Sequence, residues 1–491
     1  MSFAYKTGAG ERRTLGGMKP STPAQCPCHA APRGPSDPHP RQRPGSWPPG
    51  PAPGLTGWGL LLRMSRDLPG TLDGWRRDYG DIVHLRIWPE HQVVVTEPGL
   101  VRELLANQHE ALERWERGIE VLSQLHGHSV LTSEGVAWRA KRQALQPAFG
   151  PKAVHAFVPD IGAAAGRAFA GWRPDGTAWP IERAFTSLGM DVILRMMFSS
   201  EIDADARQAE RAVHTVSVAA NSEMFWPASW PDAMPWKRTK RRAMAVLREL
   251  IERHLAARLA LARAAWPQDL LTRLLTLHLD VPAAWPLQAV RDECMTAFLA
   301  GHETAAATLT WWAWCMAANP QAQAAARGEV DAVLQGRTPA AQDLPALAHL
   351  TRTLQETLRL YPAAPVLLTR RSQQPVTLGG WQFPARTMFT VPLGLMHRDA
   401  RWFPDPQAFR PERFADDAPG IVRGAFMPFG TGPRVCMGQH LALAEMVVIA
   451  AMFLQRFSVA PPQDMAPPEP VFNITLRPRK ALQLMLTRRA A

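Results

Sequence analysis

Apolar positions change their period along the chain, and the change divides it into regions. From Asp81, the runs Ile-Val-His-Leu-Arg-Ile87 and Gln92-Val-Val-Val-Thr96 are β-rich and split by Trp88-Pro-Glu-His91, which predicts a hairpin. Residues 134–335 are spaced mainly as helices, including 240–262 and 288–318. A second β region is expected at Val376–Pro392, punctuated by Gly379-Gly380 and Pro384. The last strands are expected in Val471-Phe-Asn-Ile-Thr-Leu476 and Leu482–Thr487. The pattern predicts a mainly α body with a smaller β-rich region and no internal repeat. Residues 1–50 are Pro-rich with little periodic apolar pattern and read as a disordered or irregular segment, leaving 51–491 as the functional body.

Apolar residues make up 46% and charged residues 20% of the 491, an ordinary globular balance, so composition leaves one large unit or two domains open. Eighteen tryptophans are unusually many and would suit large, flat apolar ligands. The net charge of +12 points to an acidic partner or an anionic surface. A nucleic acid is disfavoured because there is no zinc-finger spacing or basic helix with interleaved aromatics. No window approaches the roughly 20 apolar residues that span a bilayer, and Leu55-Thr-Gly-Trp-Gly-Leu-Leu-Leu62 lacks signal-peptide flanks, so a cytoplasmic protein without a transmembrane segment is expected. Five cysteines imply no disulfide framework: Cys294 and Cys315 fall in an apolar helical run, and Cys26 and Cys28 in the Pro-rich tail. Cys26-Pro-Cys28-His29 lacks a second ligand pair for a metal clip.

The fifth, Cys436, lies in Phe429-Gly-Thr-Gly-Pro-Arg-Val-Cys-Met-Gly438, immediately before the apolar helix expected from Gln439. Glycines at 430, 432 and 438 would let the loop fold tightly and aim amide N–H groups at sulfur. The following helix would point its positive end at the same atom, and both effects would lower the thiol pKa. This is how a chain builds a metal-binding thiolate, whereas a cysteine without such surroundings is as often a neutral core residue.

Phe429, Gly432, Arg434, Cys436 and Gly438 together resemble the haem-thiolate loop of the cytochrome P450 family. Glu356-Thr-Leu-Arg359-Leu-Tyr-Pro362 resembles the family's Glu-x-x-Arg helix, and Phe409-Arg-Pro-Glu-Arg-Phe414 the segment whose arginine meets that pair. Ala300-Gly-His-Glu-Thr304 is similar to the oxygen-binding helix and Trp138-Arg-Ala-Lys-Arg142 to the Trp-x-x-x-Arg helix. The matches occur in the family's order over roughly residues 50–485 and look bacterial, similar to thermophile members that hydroxylate carotenoids.

The resemblance implies the P450 fold and haem b held by Cys436, with Phe429, Gly430, Arg434 and Gly438 around the thiolate. Its implied propionate partners are Trp138, Arg142, Arg434 and Arg370, although Arg370 lies one residue beyond the usual spacing and Arg371 is adjacent. Ala300 and Gly301 would let the flat macrocycle approach the helix. Glu303 and Thr304 would form an acid-alcohol pair that guides protons, the alternative for Thr304 being a bond back to the preceding turn. His302 reads as structural. Glu356 and Arg359, three apart, would share a helix face and be joined by Arg413 as supports.

By fold analogy, substrate would meet the segment before Trp138, residues 215–240 with Phe225, Trp226, Trp230 and Trp236, the helix near Phe298, Pro365–Leu368 and Phe472-Asn-Ile474. The run Lys237-Arg-Thr-Lys-Arg-Arg242 reads as a solvated face, the alternative being weak contact with an anionic membrane. The implied activity is insertion of one oxygen atom from O2 into a small hydrophobic substrate: a fatty acid, terpenoid or carotenoid, steroid or xenobiotic. Electrons would come from a ferredoxin and ferredoxin reductase or a flavodoxin-type donor, since the chain carries no dinucleotide fingerprint, flavin domain or iron–sulfur cysteine set. A peroxide-driven peroxygenase, a haem isomerase and a non-catalytic haem sensor are the rival readings.

Overall fold

The computed structural model describes residues 47–489 apart from 175–176, 201–203, 225–229 and 232, together with the backbone alone at 204–206 and 473. Cys26, Cys28, His29, Phe225 and Trp226 therefore lie outside the described residues.

Helices dominate, as the periodicity predicts. The longest, Leu287–Ala318, is the core helix: it is apolar nearly all round and buried on most sides. It packs on the helix Ile181–Phe198, and small residues set how closely. A β-carbon at Gly189 would fall 3.0 Å from His302 O, and one at Gly301 would fall 2.5 Å from Ile193 Cδ1. At Gly301 the direction a side chain would take is occupied by Ile193, so its lack of a side chain also serves the packing of these two helices. Trp311 and Trp312 are fully buried in the same helix, with indole N–H groups donating to Leu476 O at 2.9 Å and Thr353 Oγ1 at 2.9 Å. Part of the tryptophan excess is thus core with its polar atoms satisfied.

The β-rich region is a five-stranded sheet in the order Ile82–Ile87, Glu90–Val95, Met388–Thr390, Arg370–Ser372, Leu112–Arg114. Glu90–Val95 and Met388–Thr390 run parallel, and the other pairs antiparallel. The first hairpin turns on Trp88 and Pro89 alone. Its outer register has a chemical consequence, because Arg370 lies directly opposite Arg114.

The run 471–476, read from sequence as one strand, is two: Pro470–Asn473 and Thr475–Pro478 fold back on each other at Ile474, whose φ is 59°. A β-branched residue there is strained, which is why apolar alternation alone does not reveal the turn. Leu484–Arg488 pairs with Phe457–Ala460 and Ala178–Trp179 to close a small separate sheet.

Lys237 and Lys240, read as a solvated face, are buried against Glu223, with Nζ–O distances of 3.2 and 2.9 Å. Trp230 and Trp236, read as substrate-facing, are about half exposed and meet edge to face at 5.9 Å. Phe298 is packed in the apolar core.

Candidate functional site

The loop around Cys436 is held by its own backbone. Cys436 N donates to Phe429 O at 2.9 Å, Val435 N to Gly432 O at 3.1 Å and Gly430 N to Met427 O at 2.9 Å. Gly430 and Gly432 have φ near 77° and 76°, and a β-carbon on Gly432 would strike Leu105 O. Gly438 differs from expectation: its φ is an ordinary −82°, and its N–H is the amide that bonds the Cys436 sulfur. The helix Gln439–Arg456 begins directly after it.

Burial pushes the Cys436 thiol up, against the pull of the Gly438 N–H and of Arg142. The loop alone was expected to lower this pKa, and desolvation outweighs it. Cys436 nonetheless presents accessible surface although protein crowds it closely, so it faces an internal hollow.

The core helix has a matching feature. Ala297, Ala300, Gly301 and Thr304 are accessible in a helix whose other residues from 292 to 317 are nearly all buried. Their spacing of three and four places them on one face, so the middle of that helix carries an accessible strip of small residues. Thr304 Oγ1 donates to Ala300 O at 3.0 Å, the back-bond weighed from sequence, which leaves its lone pairs free to accept.

Glu303 turns off this face and is buried in a network of its own. It accepts from Arg477 Nη2 at 2.8 Å and Ser217 Oγ at 3.0 Å, and Arg477 also reaches Glu182 at 3.2 Å. His302 is buried, with Nδ1 3.1 Å from Phe298 O, and burial depresses its pKa. It is a satisfied structural residue, as expected.

The support is assembled as the resemblance implies. In the helix Ala348–Leu360, Arg359 bonds Glu356 through two contacts of 2.7 and 2.8 Å, with both side chains fully buried. Arg413 Nε donates to Glu356 at 3.2 Å. Arg359 also donates to the carbonyls of His397, Pro406 and Ala408. Sequence reasoning missed the link to the cysteine loop: His397 Nε2 accepts from Met427 N at 3.1 Å, just before Phe429. Burial and the neighbouring Arg359 hold the His397 imidazole neutral, with its pKa lowered to about 3.

Beside the loop lies a cluster of cations. Arg434 stacks on the Trp138 ring at 4.1 Å, donates to Ser133 O at 3.1 Å and pairs with Glu134. Arg114, which the sequence did not single out, pairs with Glu134 at 3.1 Å and leaves its buried Nε without a partner. Among the described residues, neither Arg142 nor Arg370 has a carboxylate partner. Burial lowers Arg370 to about 9 and Arg434 to about 10, and repulsion from Arg114 adds to both. Arg371, the rival of Arg370, is fully engaged by Glu90 and Glu116 at 2.8 and 2.6 Å.

Of these four neighbouring guanidiniums only Arg114 and Arg434 have an ion-paired carboxylate among the described residues, the same Glu134, and Arg114 and Arg370 stand opposite each other across strands, where like charges repel. The arrangement fits an anionic group with two carboxylates and a flat apolar body: cations on one side, a thiol and an accessible small-residue face on the others. Haem meets that description, and Cys436, Arg114, Arg142, Arg370 and Arg434 are the residues whose chemistry fits it.

Comparison with known proteins agrees with this geometry. A family model described as Cytochrome P450 matches residues 48–486. The chain is 32% identical over 437 residues to cyclooctat-9-en-7-ol 5-monooxygenase of Streptomyces melanosporofaciens, covering 86% of this chain and 91% of that one. It is 31% identical to putative cytochrome P450 132 of Mycobacterium tuberculosis (83% and 90% covered) and 28% identical to the chloroplastic carotene epsilon-monooxygenase of Arabidopsis thaliana (78% and 76%). The chain belongs to the cytochrome P450 family and is a haem-iron oxidoreductase of its monooxygenase class.

Proposed function

We propose that residues 51–491 form one haem b-thiolate domain that inserts an oxygen atom from O2 into a hydrophobic terpenoid or carotenoid. The terpenoid and carotenoid preference rests on the names of relatives such as the cyclooctat-9-en-7-ol and carotene monooxygenases. The observation that carries the haem reading is the set of four guanidiniums around one paired carboxylate next to Cys436. When bound, the haem supplies oxygen activation, for which a cysteine thiolate is the electron-donating ligand.

The chain's own residues would bind, orient and move protons. Cys436 ligates the metal. Arg114, Arg142, Arg370, Arg434 and Trp138 hold the two propionates, with Phe429, Gly430 and Gly438 shaping the loop. Ala300 gives the flat group room beside the core helix. Thr304 presents a hydroxyl to the hollow and Glu303 supplies the acid behind it, steadied by Arg477. Because Glu303 is bonded away from the accessible face, protons pass from it to Thr304 through water rather than directly.

Electrons come from a separate acidic donor of the ferredoxin or flavodoxin kind in the cytoplasm. Arg102 and Arg423 flank a cleft of about 360 Å³ on the outer side of the cysteine loop, between Phe429 and Gln439, a basic approach suited to such a donor. Incubating the haem-loaded chain with a surrogate ferredoxin, its reductase and a terpenoid or carotenoid panel tests the reading. An oxygenated product is expected; ligand binding with no product under any donor would favour the sensor reading instead. A Thr304→Ala protein is expected to consume reductant and release peroxide, and unchanged coupling would remove Thr304 from the relay.

A further inference from the structure

Glu134 is the residue before the helix Gly135–Leu145, yet its carboxylate does not cap that helix. It turns instead to the guanidiniums beside the cysteine loop, pairing with Arg114 at 3.1 Å and with Arg434. Among the described residues its carboxylate has no other partner, and at 21% exposure the side chain still reaches solvent. Neither arginine depends on Glu134 for its orientation. Arg434 is fixed by the Trp138 ring at 4.1 Å and by Ser133 O at 3.1 Å, and Arg114 by its strand and by the same carbonyl at 3.4 Å.

The backbone around Glu134 is clamped without its carboxylate. His128 N and Val130 N donate to Asp292 and Glu293 of the core helix at 2.8 and 2.9 Å, and Ser133 N donates to Ser129 O at 2.9 Å. The side chain at the end of this segment is therefore the part that can turn. A second seat lies next to it, because the start of Gly135–Leu145 has no side-chain cap and no acid in its first turn. A glutamate fills the same position elsewhere in the chain: Glu97, before the helix Pro98–Arg102, accepts from Leu100 N at 2.6 Å. The corner is also crowded with negative charge, since the Glu113 carboxyl is pushed up by burial and then by Glu134.

We propose that Glu134 is a displaceable counter-ion for the haem propionates: they take Arg114 and Arg434 from it, and its carboxylate turns to the start of its own helix. The inference rests on the haem reading above and adds a residue that competes with the cofactor instead of holding it. Each of the two arginines spends donors on Glu134 that a propionate would otherwise accept. Carboxylates brought together on the same two guanidiniums also repel one another. Glu134 thus weakens the hold on the cofactor while it answers the charge of two largely buried arginines.

The test is release of haem from the loaded full chain to a scavenger protein, followed at the Soret band, alongside release of haem dimethyl ester, whose propionates carry no charge. Glu134→Gln should slow the release of haem by about tenfold, the effect of removing one competing charge-assisted contact. Release of the ester should not change, because an uncharged group does not contest the guanidiniums. Glu134→Asp keeps the charge and should release haem at the parent's rate. Faster release of haem from Glu134→Gln than from the parent would overturn the proposal, since Glu134 would then be holding the arginines in place for the cofactor. An equal change for haem and for the ester would overturn it as well, as the mark of a merely structural role, and failure of Glu134→Gln to take up haem would count the same way. A parent without the thiolate-type band would instead fail the haem reading itself.

Discussion

Two clusters of arginine flank the cysteine loop, and they differ in how much of their charge is answered. Around Arg359 every donor has a partner: a carboxylate fully buried with it, and three backbone carbonyls. Around Arg370 the guanidiniums outnumber the ion-paired carboxylate, the register sets two of them face to face, and burial disfavours their charge. A complete network rigidifies what it touches, and an incomplete one marks a place where something is meant to bind. The first cluster is a support, and the second is the one we propose holds the two propionates.

Breaking the support should have the largest effect. Arg359→Leu leaves Glu356 buried with only Arg413 and a backbone N–H for partners, and should cost about 3–5 kcal/mol in denaturant unfolding. A loss below about 1 kcal/mol would mean that the network does not hold the fold.

A buried acid sharpens the contrast from the opposite sign. Glu445 has one oxygen without a partner among the described residues, and burial raises its carboxyl to about 8. The folded state holds a proton that the unfolded chain has already lost, so Glu445 erodes stability as pH rises from about 5 to about 8. His397 acts on the acid side. Its folded pKa near 3 lies below the ordinary histidine value, so its contribution is complete at neutral pH and is lost as pH falls from about 6.5 towards 3. Unfolding measured across pH should show both limbs, and Glu445→Gln should flatten only the alkaline one.

The binding cluster should respond the other way from the support. Arg370→Met removes a repelled, desolvated cation and should raise the stability of the haem-free chain by up to about 1 kcal/mol, while haem is lost faster to a scavenger protein. Destabilisation of the haem-free chain comparable to that of Arg359→Leu would erase the distinction between the two clusters. An exposed pair gives the baseline: Arg263→Ala, which breaks the contact to Asp280, should change stability by less than about 0.5 kcal/mol.

How legible these features were in the sequence follows from how local they are. The Glu356–Arg359 pair was readable because three residues on a helix share a face, and the cysteine loop because its glycines and thiol are contiguous. Arg114, Glu134, His397 and Arg477 were not, since each acts through a partner delivered by a distant strand or loop; Arg434 and Glu134 are 300 residues apart. The choice between Arg370 and Arg371 could not be made by counting. It emerges from strand alternation, which sends Arg371 to Glu90 and leaves Arg370 opposite Arg114. Lys237 and Lys240 misled because their carboxylate, Glu223, lies 14 and 17 residues upstream, beyond the reach of local helical spacing. At Ile474 a strained turn sits inside an apolar run, where pattern reading has no signal to use.

The account rests on Cys436 being a thiolate ligand in a site completed by haem. The most direct measurement is the Soret band of the reduced, carbon monoxide-bound protein, recorded for the parent and for Cys436→Ala. The parent should give the red-shifted band characteristic of a thiolate ligand, and the variant should lose that band while still folding, as judged by circular dichroism. A variant that folds and keeps the thiolate-type band would contradict the assignment.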